Sequence, residues 1–125
     1  MSRIVVYECC PGETDHVPAM LEGEAYEVVA CADGERLLEA VVERPAQVVV
    51  FELRGESHAD LRLLQLFRRV APGVPLILVA NNASLEIHRL VQELRPIYYA
   101  VWPVEPAELR DAVHAALERR GSRTG

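Results

Sequence analysis

The sequence contains no lysine, and arginine supplies all thirteen of its Lys and Arg residues, against nineteen Asp and Glu. The net charge of −6 disfavours a nucleic-acid surface, because phosphate binding needs clustered cations. No apolar run approaches the roughly 18 residues that span a membrane, and the N-terminus lacks the apolar core of a signal peptide. Three cysteines, two of them adjacent, do not form a disulfide framework. We therefore expect a cytoplasmic protein that binds neither membranes nor nucleic acid directly.

Short apolar runs alternate with amphipathic segments along the 125 residues, a length typical of one domain. The runs predict strands over residues 3–9, 26–31, 47–53, 75–80 and 97–101. The segments between them predict helices over residues 33–43, 59–71, 84–94 and 105–120. Asp33 is placed to cap the first of these, and Pro18 restricts an earlier helix to a short segment starting near His16 or Val17. Five strands alternating with five helices predict a doubly wound α/β fold.

Three segments carry a resemblance to a known family. Residues 26–35 look like its second strand and the cap of its second helix, and residues 75–79 look like its fourth strand. Residues 98–109, which read Tyr-Tyr-Ala-Val-Trp-Pro-Val-Glu-Pro-Ala-Glu-Leu, look like its fifth strand and the entry to its last helix. On these segments the chain resembles the receiver domain of bacterial two-component response regulators. The resemblance implies a flavodoxin-like or CheY-like sheet of order 2-1-3-4-5, and a signalling module rather than an enzyme.

The resemblance covers nearly the whole chain, so we expect one receiver-like domain over residues 1–120. Residues 121–125, Gly-Ser-Arg-Thr-Gly, look like the beginning of a linker or a cloning remnant.

The resemblance also assigns a phosphorylation site. Receivers are phosphorylated on an Asp that ends the third strand; an acid pair holds Mg²⁺, and a Thr or Ser and a Lys bind the phosphoryl oxygens. The matching positions, in that order, are occupied by Glu52, by Glu8 and Cys9, by Ala80 and by Trp102. All five differ from the family's pattern, and Mg²⁺ prefers several hard oxygen ligands. We therefore expect a degenerate site with no catalytic residue, metal or cofactor, in which Glu52 is a solvated carboxylate rather than a mimic of phospho-Asp.

The same resemblance implies roles for two aromatic residues, Tyr99 and Trp102. Tyr99 matches the switch aromatic of receivers, and we expect a packed ring that does not switch. Trp102 either fills the former cleft or stands at an interface, where Trp is enriched. The Trp102–Pro103 bond matches a Lys-Pro junction that is typically cis, an uncommon geometry.

The function we expect is that of a phosphorylation-independent receiver in a bacterial regulator. It would act by homodimerisation, or by contacts with an attached output domain or a partner regulator. The face formed by the fourth helix, fifth strand and fifth helix supplies these candidate contact residues: Arg89, Glu93, Tyr98, Trp102, Glu108, Arg110 and Arg119. The alternative is a small-molecule or thiol-redox sensor that uses the altered cleft together with Cys9, Cys10 and Cys31. Cysteine is also simply a small buried hydrophobe.

Overall fold

The computed structural model describes residues 2–8, 17–21, 23, 26–53, 58–80 and 84–123. Its five strands are β1 (Ser2–Tyr7), β2 (Tyr26–Cys31), β3 (Val48–Leu53), β4 (Leu76–Ala80) and β5 (Tyr98–Val101). They form one parallel sheet in the order β2-β1-β3-β4-β5. The strand order and the alternation with helices confirm the predicted doubly wound fold.

The five helices lie close to the predicted positions. They are α1 (Val17–Leu21), α2 (Gly34–Glu43), α3 (His58–Val70), α4 (Leu85–Leu94) and α5 (Pro106–Arg123). The first is short and carries Pro18 in its first turn, as expected. The last continues three residues beyond the predicted end at Arg120, through part of the segment expected to be a linker. Extending a helix that is already formed adds a hydrogen bond for each residue that it fixes, and this offsets the poor helix propensity of Gly121.

Side-chain caps set the start of two helices. The backbone N–H of Arg36 donates to Oδ1 of Asp33 at 2.8 Å, which confirms the predicted cap of α2. The backbone N–H of Ile87 donates to Oγ of Ser84 at 3.2 Å and caps α4. Each cap satisfies one of the donors that a helix leaves unpaired at its first turn.

The sheet is covered on both faces, as a parallel sheet requires. On one face α2, α3 and α4 pack against Val5, Val49 and Leu78. On the other face α1 and α5 pack against Ile4, Val50 and Val79. We call these the α2–α4 face and the α1–α5 face. Within the described residues no helix is long and apolar enough to cross a membrane.

Candidate functional site

The predicted site lies at the carboxyl edge of the sheet, where the parallel strands end and where ligands of open α/β sheets bind. Glu52 is the last residue but one of β3 and pairs with Val79 of β4. Side chains alternate along a strand, so Glu52 shares the α1–α5 face with Val48 and Val50. Its side chain is 0% exposed. The expectation of a solvated carboxylate is therefore wrong: β3 is the central strand, and the neighbouring strands and the helices close around it.

Glu8 follows β1 directly, and its side chain lies on the same α1–α5 face as that of Glu52. Its backbone N–H donates to the carbonyl oxygen of Cys31 at 3.0 Å, which continues the pairing of β1 with β2. Tyr7 pairs with Phe51, so the next residues, Glu8 and Glu52, lie side by side at the ends of neighbouring strands. Glu8 is also buried, and both residues have further interactions within the chain.

Ala80 and Trp102 lie at the same carboxyl edge of the sheet. Ala80 ends β4, is fully buried and pairs with Leu53 on one side and Val101 on the other. Its side chain is a methyl group, at the position that the resemblance matches to the receivers' Thr or Ser. The backbone N–H of Trp102 donates to the carbonyl oxygen of Ala80 at 2.8 Å. The Trp102–Pro103 bond is cis, the geometry that the resemblance implies.

The indole of Trp102 packs inward. It is half-buried against the core of the α1–α5 face, and its Nε1 atom is buried. Of the two roles left open by the sequence, filling space beside the sheet is the one that this packing favours. A large apolar ring therefore packs at the position that the resemblance matches to the receivers' lysine.

Tyr99 lies on the opposite side of the sheet. Its ring is half-buried against the core of the α2–α4 face and makes an edge-on contact with His88 of α4, with ring centroids 6.1 Å apart. Its hydroxyl is buried, and burial raises the pKa of Tyr99. The small Ala80 side chain belongs to the same core. The ring of Tyr99 is thus packed inward, against the same core that contains Ala80.

The donor set at this edge does not fit Mg²⁺. The ion takes near-octahedral oxygen coordination and keeps several of its waters, whereas the two carboxyl groups present, from Glu8 and Glu52, are closed off from solvent. The third position carries a thiol by sequence, Cys9, and Cys9 and Cys10 lie outside the described residues. In the part of the chain that the structure describes, no three His, Cys, Asp or Glu side chains are placed to hold a metal ion.

A contact that the sequence reasoning missed closes the α2–α4 face at this edge. The hydroxyl of Tyr7 donates to Oδ1 of Asp60 in α3 at 2.8 Å. The ring of Tyr7 stacks on that of Phe51, with centroids 4.5 Å apart. The signal for the stacking was the alternation itself, which puts Tyr7 and Phe51 on one face. The partner in α3 depends on how that helix packs.

Cys31 ends β2 and is the described residue on which a thiol sensor would rely. It is buried, and burial raises the pKa of its thiol; the charge of Arg3 opposes this shift but is smaller in effect. Because the thiolate is the reactive form of cysteine, this environment suppresses reactivity near neutral pH.

The predicted contact face is assembled only in part. Arg89, Glu93 and Glu108 are exposed, and the hydroxyl of Tyr98 donates to Oε1 of Glu108, joining β5 to α5. Arg110 turns toward α1 instead, where its Nη1 donates to the carbonyl oxygen of Met20 at 3.2 Å. Trp102 packs inward as described, and the side chain of Arg119 lies outside the described residues.

Two exposed apolar residues belong with this face and were missed by the sequence reasoning. Leu85 of α4 is exposed and lies four residues before Arg89, hence on the same side of the helix. Val101 is exposed at the end of β5, an edge strand. The reduced face therefore consists of Leu85, Arg89, Glu93, Tyr98, Val101 and Glu108, and we call it the α4–β5–α5 face.

No family model matches the chain. The sequence is 22% identical over 123 residues to the transcriptional regulatory protein GlrR of Escherichia coli K12. The aligned region covers 98% of this chain and 28% of that protein. The chain thus spans about 28% of the length of the curated relatives that it matches.

Solved structures are similar over the whole domain. A response regulator receiver domain protein (CheY-like) from Methanospirillum hungatei has a TM-score of 0.84 at 23% identity and covers 98% of both chains. NtrX from Brucella abortus has a TM-score of 0.81 at 19% identity and covers 98% of this chain and 28% of that one. The chain therefore has the response regulator receiver (CheY-like) fold.

Proposed function

We propose that this chain is a receiver domain of a bacterial response regulator that acts through protein–protein contacts and without phosphorylation. The observation that carries the proposal is the burial of Glu52: the residue at the phosphoacceptor position is 0% exposed. A phosphoryl donor has to reach that atom in line, so a closed carboxyl group does not serve as its acceptor.

The surrounding residues support the same proposal. Phosphoryl transfer is catalysed by positioning and by cationic stabilisation of the phosphoryl oxygens. Ala80 offers no hydroxyl, Trp102 replaces the cation, and the chain contains no lysine to take its place from elsewhere. The buried carboxyl groups of Glu8 and Glu52 are a poor donor set for Mg²⁺.

The α4–β5–α5 face is the surface that we propose for signalling. It combines exposed apolar groups from Leu85 and Val101 with the charges of Arg89, Glu93 and Glu108. The curated relative GlrR is named a transcriptional regulatory protein and is much longer than this chain. We therefore propose a cytosolic regulator in which this face contacts an attached output domain, a partner regulator or a second receiver. The thiol-sensor alternative gains no support from Cys31, since its raised pKa disfavours the reactive thiolate.

Incubation with acetyl phosphate and Mg²⁺, followed by intact-mass spectrometry, tests the loss of phosphorylation. We expect no phosphorylated species, while a functional receiver treated in parallel gains one phosphoryl group.

Tryptophan fluorescence provides a second measurement. Trp102 is the only tryptophan of the sequence and occupies the position matched to the receivers' lysine, so its fluorescence reports on the carboxyl edge of the sheet. A saturable change of this fluorescence on adding beryllofluoride with Mg²⁺, or any phosphorylated species, would overturn the proposal.

A further inference from the structure

The exposed surface of α3 differs in charge from the rest of this acidic chain. Its charged exposed residues are Arg62 and Arg69, and no exposed residue of α3 is acidic. Between them lie apolar side chains: Leu66 is 45% and Val70 is 46% exposed. A groove of about 490 Å³ runs along this surface and is lined by Ala59, Arg62, Leu63, Gln65, Leu66 and Arg69. This basic, partly apolar surface is called the α3 groove below.

The exposed surface of α2 has the opposite character. Glu35, Glu39 and Glu43 are exposed and recur at intervals of four residues, which places them along one side of the helix. Val42 stands beside them and is 70% exposed. The exposed cation of this helix, Arg36, is neutralised locally by Asp33, with 3.6 Å between Nε and Oδ2. This acidic side with its apolar residue is called the α2 ridge below.

The α2 ridge and the α3 groove belong to one continuous surface. Both helices cover the same face of the sheet. A Cβ atom on Gly34, at the start of α2, would lie only 2.8 Å from Cδ1 of Leu63 in α3. The absence of a side chain at Gly34 thus lets the two helices approach closely. An acidic ridge and a basic groove stand side by side, and each carries exposed apolar groups of similar size.

We propose that a second copy of this chain docks on this surface, with the α2 ridge of each copy against the α3 groove of the other. In a two-fold interface, each contact between two patches occurs twice, with the roles of the two copies exchanged. The acidic α2 ridge of one copy can therefore contact the basic α3 groove of the other at both halves of the interface. Two copies with a net charge of −6 repel one another over most of their surfaces, and the α3 groove is where that repulsion is replaced by attraction. Val42, Leu66 and Val70 lose solvent contact on pairing.

Charge reversal tests this pairing on the intact chain by sedimentation velocity over a concentration series. The first variant combines Glu39→Arg with Glu43→Arg, and the second combines Arg62→Glu with Arg69→Glu. All four side chains are exposed, and circular dichroism checks that each variant is folded. We expect a reversible dimer for the wild type and dimers about tenfold weaker or more for each variant alone.

The decisive measurement is the equimolar mixture of the two variants. In the mixture, arginines of one copy meet glutamates of the other at both halves of the two-fold interface, so a heterodimer forms again. Asp111→Arg, at an exposed position of α5 outside both the α2 ridge and the α3 groove, is the charge-reversal control and leaves the dimer unchanged. The proposal is overturned by a monomeric wild type, by charge variants that dimerise like the wild type, by a mixture that stays monomeric, or by loss of the dimer in Asp111→Arg. If a reversed variant does not fold, the neutral pair Glu39→Gln with Glu43→Gln replaces it and must still weaken the dimer.

Discussion

The hydroxyl of Tyr7 donates a 2.8 Å hydrogen bond to the carboxyl group of Asp60 and so ties the end of β1 to the first turn of α3. The Tyr7 ring lies on Phe51 of the neighbouring strand. The carboxyl edge is thereby closed on the α2–α4 face by a side-chain contact, just as it is closed on the α1–α5 face by the packing of Trp102. In the part of the chain that the structure describes, an aromatic side chain thus packs on each face of the sheet at this edge.

Tyr7→Phe tests how much this closure contributes to stability. The substitution keeps the stacked ring and removes the donor to Asp60, so we expect the free energy of unfolding to fall by about 1 kcal/mol. Urea unfolding measures it, and a double-mutant cycle with Asp60→Ala isolates the pairwise energy. Unchanged stability of Tyr7→Phe would mean that the hydrogen bond contributes nothing.

Arg68 should be far more sensitive to substitution than an exposed arginine. Its guanidinium donates to three backbone carbonyl oxygens, those of Val74, Leu94 and Arg95, at 2.7, 3.1 and 3.3 Å. It thus joins α3 to the end of α4. We expect Arg68→Ala to destabilise the domain by about 2 kcal/mol, and Arg68→Lys by an intermediate amount, because an ammonium group lacks the planar fork.

The matched control for Arg68 is Arg89→Ala, at an exposed position of α4. We expect its unfolding midpoint in urea to remain at the wild-type value within about 0.5 kcal/mol of stability. Equal effects of the two alanine substitutions would contradict the bridging role of Arg68.

Glu52→Asp restores the residue type of the family at the phosphoacceptor position, yet we expect no phosphorylation of this variant by acetyl phosphate. Ala80 and Trp102 still provide neither the hydroxyl nor the cation that the reaction needs. Removing one buried methylene should also destabilise the domain by about 1 kcal/mol. Intact-mass spectrometry and urea unfolding measure the two effects, and a phosphorylated Glu52→Asp would show that the acceptor alone was missing.

Alkaline pH should destabilise the fold through two buried groups. Burial raises the pKa of Cys31 above its usual 9.0 and that of Tyr99 above its usual 10.0. Both groups lose a proton to become charged, so the folded state favours their neutral forms. The stability that follows is fully present below the usual pKa of each group and is lost as the pH rises through the raised value. We expect the free energy of unfolding to decline above about pH 9.

Variants assign this decline to the two groups. Because the usual pKa of cysteine lies below that of tyrosine, Cys31→Ala should flatten the first part of the decline and Tyr99→Phe the later part. Urea unfolding at a series of pH values provides the measurement. Identical pH profiles for the wild type and both variants would exclude these two groups as the cause.

The sequence by itself determined the elements and their order. Apolar runs of strand length alternate with amphipathic segments, and this local pattern predicted the number and the type of the helices and strands. Most of the predicted limits agree with the structure within one residue, whereas β1 ends at Tyr7 instead of residue 9 and α5 ends at Arg123 instead of Arg120. The resemblance to receivers also predicted which residues match the five signature positions. The absence of lysine is a property of composition, and the sequence alone establishes it.

Only the tertiary structure decided the environment of those residues. Glu52 reads locally as a polar residue at the end of an apolar strand, but its burial depends on β3 lying at the centre of the sheet with helices on both faces. Arg110 reads as a surface cation near the α4–β5–α5 face, and the packing of α5 against α1 turns it to the Met20 carbonyl. Burial and contact arise between segments that are distant in the sequence, whereas the hydrophobic pattern records only which side of its own element each residue occupies.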